Sequence, residues 1–371
     1  MIGFRVDANE HIASGHLMRC LSIAEECIQN GEEVIFIMAD RINVSMEEKL
    51  VNKHIPYIIL DSDWTRLDNE LSLLAKVIEQ KNLSWLVVDS YYATATYLKA
   101  LECYTRVLYI DDLNKEKYEI SSLLRYSQWP DDRSYIDKYR NSDISLLVGM
   151  KYTPLRKEFA VGRSIKLQDR ENAILITTGG TDICNVTGKL LEMLGNYRDF
   201  SGYHKYVIVG GMNAFEIELN RIAAQDSTVS IHKNVSNIDE YMRKCKYAVS
   251  AGGTTLYELC ACQTPTVCFS FADNQLDFAR AMGERRIMMF AGDAREDRYT
   301  CEGVVCKMSD YMGDKVMPDS IEHRIISGLA LFKNNPEIAR TYAQRMGRLV
   351  DGKGAKRIAD FLNLDEGRKL H

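Results

Sequence analysis

The sequence predicts an α/β protein made of two doubly wound domains in series. Three observations predict it. Short Val/Ile/Leu-rich runs alternate with helix-period segments through the first half. The same alternation begins again after a polar stretch at residues 163–172. The length of 371 residues is enough for two domains of ordinary size.

In the first half, apolar runs at residues 2–6, 34–38, 57–60, 85–88, 107–110 and 144–148 read as strands. Helical spacing at 17–30, 67–80 and 94–104 separates several of them. Continuous apolar strands with helices between them indicate a parallel sheet covered on both faces. Residues 113–142, with Trp129-Pro130 and several aspartates, read as a loop-rich excursion. This domain is expected to span residues 1–162.

The first strand runs into Asp7-Ala8-Asn9-Glu10-His11-Ile12-Ala13-Ser14-Gly15-His16. Leu17, Leu21, Ala24 and Ile28 then recur at helical spacing, so His16 falls at a helix start with Ser14 or Gly15 as the cap. Strand ends of this kind line the carboxyl edge of a sheet, where α/β proteins bind ligands. The positive end of a helix dipole favours a neutral imidazole, the form that accepts a proton. Read alone, His16 is more readily a surface residue of a βα loop than a functional one. Arg19 follows one turn later.

Asp89-Ser90-Tyr91 and Asp111-Asp112 end two further strands and are expected on the same edge. Paired aspartates suggest metal or acid–base work, but adjacent side chains point apart, and aspartate at strand ends commonly caps loops. No histidine or further carboxylate stands at ligand spacing, so no metal is expected.

In the second half, strands are expected at 173–177, 205–209, 228–231, 247–251, 266–269 and 287–290. Helices are expected at 184–194, 213–224, 238–244, 255–262 and 275–283. The domain is drawn at residues 163–340, followed by helices at 341–371 that pack across the pair. Gly179-Gly180-Thr181, Gly210-Gly211 and Gly252-Gly253-Thr254 each follow a strand. Glycine lets a phosphate approach the backbone, and free amides at helix starts favour anions. Neither GxGxxG nor GxxxxGK[ST] occurs there, which counts against a dinucleotide fingerprint or a Walker-type site. Glu258 fits a capping box with Thr255, and equally a carboxylate accepting two ribose hydroxyls. Asn274-Gln275 could bond sugar hydroxyls or cap a helix.

Bulk properties narrow the classes. A net charge of −5 and no long basic run argue against a nucleic-acid binder. The chain enters a strand at once, so no secretory signal is expected, and no apolar run approaches the ~18 residues of a membrane span. Ten scattered cysteines without a CxxC pair point to free thiols in a reducing cytoplasm.

The His16 loop, Asp89-Ser90-Tyr91, Asp111-Asp112, Leu155-Arg156-Lys157-Glu158-Phe159 and Thr178-Gly179-Gly180-Thr181-Asp182 occur in one order. In that order they resemble blocks of the UDP-2,4-diacetamido-2,4,6-trideoxy-β-L-altropyranose hydrolases of pseudaminic acid biosynthesis. The resemblance covers roughly residues 1–290. Ser90 stands where that family often has histidine.

The resemblance implies a GT-B fold, two Rossmann-like domains with a cleft between them, as in the N-acetylglucosaminyltransferase of peptidoglycan synthesis. It implies a metal-independent, cofactor-free hydrolase that releases UDP from an activated sugar, with water attacking the anomeric carbon with inversion. His16 would be the base, with His11 as its rival. Asp7, Asn9, Arg19, Tyr91, Asn274 and Gln275 would meet the sugar. Gly179, Gly180, Thr181, Gly252, Gly253, Thr254 and Glu258 would hold UDP. A glycosyltransferase, a hydrolysing 2-epimerase and a non-catalytic nucleotide-sugar-binding protein are the rival readings. The partner expected is the UDP-sugar, with neither nucleic acid nor membrane insertion, in a cytoplasmic monomer or weak homo-oligomer.

Overall fold

A computed structural model describes residues 1–9, 11–12, 14–126, 132–160, 165–233, 235–295 and 320–363. The chain divides into two units. The first is Met1–Ala160 joined by the tail from Gly352, and the second is Val161–Asp351.

The first unit runs β1 (Ile2–Val6), α1 (Gly15–Gln29), β2 (Val34–Met38), α2 (Val44–Asn52) and β3 (Tyr57–Ile59). It continues with α3 (Leu71–Lys81), β4 (Trp85–Asp89), α4 (Ala95–Glu102), β5 (Arg106–Ile110), β6 (Ser122–Arg125), α5 (Asp132–Lys138) and β7 (Ser145–Val148). The strands order as β3-β2-β1-β4-β5-β6-β7, and every pair is parallel. Every residue of β1, β2 and β4 is buried, which is why these strands read as unbroken apolar runs. Phe4 stacks on Phe36 across the β1–β2 pair, their centroids 5.1 Å apart. The strand order reverses direction between β1 and β4, and the connections leaving them diverge at the carboxyl edge.

Two expectations of the first unit change. Residues 113–142 are not only an excursion, because β6 lies within them and pairs with both β5 and β7. Its four residues are too few to show a period, yet all are buried. Trp129-Pro130 lies outside the described residues. Helix α2 was not expected either. Asn43 starts it by accepting from the Ser45 amide at 3.0 Å.

The second unit runs β8 (Glu171–Thr177), α6 (Val186–Asn196), β9 (His204–Val209), α7 (Glu216–Gln225), β10 (Val229–Lys233) and α8 (Ile238–Lys244). Then follow β11 (Cys245–Ala251), α9 (Thr255–Ala261), β12 (Thr266–Ser270), α10 (Asp273–Glu284), β13 (Met289–Asp293), α11 (Ile321–Asn334) and α12 (Pro336–Leu349). Its parallel sheet orders as β10-β9-β8-β11-β12-β13, again reversing beside its first strand. Ile174, Val249, Val267 and Phe269 meet Leu190, Leu194, Ile325 and Phe332 in its core. Helix α11 is an addition to the expected set. Beneath the amino ends of the strands, buried Arg170 donates to the carbonyls of Ile165, Met242, Cys245 and Cys262 and to Thr264 Oγ1.

The tail does not behave as one body. Helix α12 belongs to the second unit, whereas α13 (Gly354–Leu362) returns to the first and packs on α1. There Phe361 lies 5.6 Å from Trp85, and Asn30 Nδ2 donates to Asp360 Oδ1 at 3.1 Å. Gly354 meets the backbone of Thr153 so closely that a Cβ would lie 2.1 Å from its carbonyl oxygen.

The eight described cysteines are free thiols, five of them on the second unit. Burial pushes the Cys262 and Cys268 thiols up to about 12.

Candidate active site

The carboxyl edge of the first unit gathers a charged cluster around β4. Asp89 ends β4 and is 2 % exposed. Its Oδ1 lies 2.6 Å from His16 Nδ1 and accepts from Arg19 Nη2 at 2.5 Å. Its Oδ2 accepts from Arg19 Nε at 2.6 Å. Helix α1 makes this meeting possible, because His16 and Arg19 stand three residues apart on one face. Arg19 also donates from Nη2 to Asp112 Oδ2 at 2.7 Å and from Nη1 to the Tyr126 hydroxyl at 2.9 Å. The edge of Tyr91 closes on His16 with ring centroids 4.6 Å apart.

Burial alone would raise the Asp89 carboxyl. The Arg19 charge and the hydrogen bonds from Arg19 and His16 outweigh it and hold the carboxyl well below the usual carboxylate range. An ionised carboxylate only accepts hydrogen bonds, so at 2.6 Å His16 Nδ1 donates. That assignment leaves the lone pair on Nε2. The imidazole is therefore fixed in tautomer and orientation by a buried acid, with His16 the more exposed member at 13 % against 1 %. Ser14 stands before the helix as expected but makes no side-chain cap hydrogen bond.

The other residues expected here separate into inward and outward groups. Asp7 is 4 % exposed, and its oxygens accept from Arg5 at 2.7 Å and from the Ala39 amide at 2.8 Å. Arg5 in turn forks onto buried Glu70, which also accepts from Tyr97 and Ser62. Asp7 thus ties β1 to the end of β2 and α3 and turns no oxygen outward. Asn9 Oδ1 accepts from the amides of His11 and Ile12 at 3.0 Å each, while its buried Nδ2 has no hydrogen-bond partner among the described residues. Asp111 and Asp112 do point apart. Asp111 accepts from the Asn114 amide and Tyr135, and Asp112 accepts from Arg19. His11 is exposed and stacks near Trp64. Among the described residues no three His, Cys, Asp or Glu side chains gather to hold a metal ion.

The second unit places its glycine turns on adjacent strand ends, since β8 and β11 pair with Thr177 opposite Ser250. Gly179 and Gly180 are exposed, and Gly179 has φ +77°. Gly210 packs behind them, where a Cβ would meet the Gly179 carbonyl at 2.4 Å. That contact gives Gly210 a steric reason, distinct from ligand approach. Asp182 accepts from the amides of Val186 and Thr187 at 3.0 Å each. An anion at this turn would therefore meet the glycine amides, because Asp182 already occupies the start of α6. Gly252 is buried under α10, Gly253 and Thr181 are partly exposed, and Thr254 is exposed. Thr254 precedes α9 without a side-chain cap, and Glu258 sits half-buried one turn in. Gln275 Oε1 accepts from the Phe271 amide at 3.2 Å, so it caps the strand-to-helix turn, and Asn274 is exposed beside it.

Sequence reading placed Asp89 on this edge but gave the carboxylate no role. It also missed Asp112 and Tyr126 as partners of Arg19. The only signal was the position of each at the end of an apolar strand.

No family model matches the chain. The uncharacterized protein MJ1062 of Methanocaldococcus jannaschii is 25 % identical over 279 residues, 72 % of this chain and 54 % of that protein. The match thus spans about half of that relative's length. The spore coat polysaccharide biosynthesis protein SpsG of Bacillus subtilis is 20 % identical over 368 residues, 97 % of each chain. Among solved structures, MurG of Acinetobacter baumannii superposes with a TM-score of 0.64 at 10 % identity, over 97 % of this chain and 98 % of that one. UGT71G1 of Medicago truncatula, solved with UDP-glucose, gives 0.61 at 10 % identity over 97 % and 98 %. The fold is GT-B: two parallel-stranded Rossmann-like units with flanking helices.

Proposed function

We propose that this protein is a nucleotide-sugar hydrolase that releases UDP from a UDP-linked 2,4-diacetamido-2,4,6-trideoxy sugar, in pseudaminic acid biosynthesis. The observation that carries the reading is the 2.6 Å bond between His16 Nδ1 and Asp89, which leaves Nε2 to accept a proton. Inverting hydrolysis needs a base that activates water on the face opposite the leaving group. Nε2 takes the proton as the water oxygen bonds to the anomeric carbon and the bond to the diphosphate oxygen breaks. Asp89 then stabilises the imidazolium, with Arg19 and Asp112 holding the carboxylate still. In this reading Asn9, Arg19, Tyr91, Asn274 and Gln275 serve the sugar, Arg19 through Asp89, and Asp7 braces the loop. UDP is assigned to Gly179, Gly180, Thr181, Gly252, Gly253, Thr254 and Glu258. Backbone amides there would stabilise the charge of the departing diphosphate, which makes a separate acid less necessary. No cofactor enters the reaction.

A second reading is favoured by the kinship with SpsG and the superposition on MurG. In it, the protein is a glycosyltransferase, and the same Nε2 deprotonates an acceptor hydroxyl in place of water. NMR of the products formed from the UDP-diacetamido sugar, with no acceptor present, separates the two. UDP plus free sugar of inverted anomeric configuration supports hydrolysis. Turnover only on addition of an acceptor supports transfer, and absence of turnover in both cases rejects the catalytic reading.

A further inference from the structure

Beside the His16–Asp89 pair, three loops of one sheet edge bring together two exposed rings and one half-buried ring. His11 belongs to the loop after β1, Trp64 to the loop after β3, and Tyr92 to the loop after β4. His11 and Trp64 are near-parallel, 19° apart in plane with centroids 6.1 Å apart. Trp64 meets Tyr92 edge-on at 5.3 Å. His11 and Tyr92 are both exposed, Tyr92 to 44 %.

The backbone beneath these rings is built to hold them. Asp63 Oδ1 accepts from the amide and hydroxyl of Thr65 at 2.9 and 2.6 Å, which fixes the turn carrying Trp64. Asn9 Oδ1 fixes the His11 amide, and Ser90 Oγ accepts from the Tyr92 amide at 3.2 Å. Three side-chain-to-backbone locks under these three rings, His11 and Tyr92 exposed and Trp64 half-buried, are a preorganised surface, and preorganisation serves binding. The same Asn9 leaves a donor, Nδ2, buried and unpartnered among the described residues. A buried donor without a partner is a place where a ligand oxygen would gain most.

We propose that His11, Trp64 and Tyr92 form a stacking wall for a pyranose ring, with Asn9 Nδ2 donating to one of its oxygens. The electron-rich ring faces meet the weakly positive C–H face of a sugar, while the hydroxyls stay outward. This deepens the nucleotide-sugar reading above and rests on it. The ring has two possible sources, the sugar attached to the nucleotide or a separate saccharide, and the wall is the same for both.

The test is titration of wild type, Trp64→Ala, Trp64→Phe and Tyr92→Ala with UDP, UDP-N-acetylglucosamine, and free N-acetylglucosamine with and without UDP. Calorimetry and tryptophan emission give the readouts. Trp64→Ala and Tyr92→Ala are expected to weaken binding of the saccharide-bearing probe at least tenfold, leave UDP binding unchanged, and be largely rescued in Trp64→Phe. Tighter binding of UDP-N-acetylglucosamine than of UDP assigns the wall to the donor's sugar. Binding of free N-acetylglucosamine to the UDP-loaded protein assigns it to a separate saccharide. Wild-type affinities in Trp64→Ala, or equal losses for UDP and UDP-sugar, would overturn the wall. Wild type that binds UDP but gains nothing from either sugar overturns the wall and leaves the nucleotide reading standing. Wild type that binds no probe overturns both.

Discussion

Arg19 grips Asp89 with two arms of its guanidinium, Nε on one carboxylate oxygen at 2.6 Å and Nη2 on the other at 2.5 Å. Bidentate pairing of this kind fixes direction as well as charge. It explains how a carboxylate buried at a strand end stays ionised next to a histidine, and it makes Asp89 a contributor to stability as well as a support for His16.

Replacing Asp89 by Asn should therefore affect both. The carboxamide can present its NH2 to Nδ1 and favour the wrong tautomer, so kcat should fall about 10³–10⁴-fold. Leaving Arg19 short of one anion should cost about 3 kcal/mol near neutral pH. The folded Asp89 carboxyl lies below its unfolded value, so its contribution is complete above about pH 4 and is lost as pH falls further. Melting curves of wild type and Asp89→Asn should keep a constant gap from pH 8 to 5 and converge toward pH 2. A gap that widens on acidification contradicts this.

His16→Ala and His16→Asn should each lower kcat about 10²–10⁴-fold with UDP affinity nearly unchanged. His11→Ala should leave kcat within a few-fold of wild type and act on KM instead, because among the described residues no carboxylate is hydrogen-bonded to the His11 ring, which packs on Trp64. Steady-state kinetics on the UDP-diacetamido sugar checks both. Comparable losses at the two positions would return His11 to contention.

The second unit should lose stability on mild acidification. His204 and His232 lie on β9 and β10 around Tyr206, with Tyr241 and Lys244 over them from α8. Burial, and then the Lys244 charge, lowers both imidazoles below their ordinary value. A lowered pKa means full stability above about pH 6.5 and loss as pH falls through the folded value. His204→Gln with His232→Gln should flatten the dependence of melting temperature between pH 7 and 5. An unchanged slope would place the acid sensitivity elsewhere.

Arg170→Met should destabilise the second unit by about 3 kcal/mol in urea unfolding, since it strands carbonyls that share one guanidinium. Burial lowers this arginine to about 10, and among the described residues its hydrogen bonds go to backbone carbonyls and the Thr264 hydroxyl, none to a carboxylate. Arg170→Lys should recover only part of the loss, because an ammonium cannot reproduce the fork. Full recovery by lysine would show that charge, not geometry, matters here.

Much of the fold was legible because doubly wound sheets announce themselves. Strands β1, β2, β4 and β5 are covered on both faces and must be apolar throughout. Short β6 and helices α2 and α11 were not legible, since their patterns are weak and tertiary contacts decide them. At the site, His16 was readable from its helix start and from resemblance. The Asp89–Arg19–Asp112 linkage was not, because it joins residues from α1, from β4 and from the turn after β5 that only the sheet order makes neighbours. Asp7 looked like an outward group and serves inward, since Arg5 on the same strand claims it at 2.7 Å. No spacing rule reveals which way a strand-end carboxylate turns.

The return of α13 to the first unit has a consequence in time. During synthesis the helix that covers α1 and Trp85 is made only after roughly 190 residues of the second unit have followed Ala160. At about 5–20 residues per second that is a wait of roughly 10–40 s. Through that interval the α1 face lacks its final partner, while the second unit, continuous in the chain, has all of its helices before α13 is made. The order of completion is thus reversed from the order of appearance: the part that emerges first is the part that finishes last.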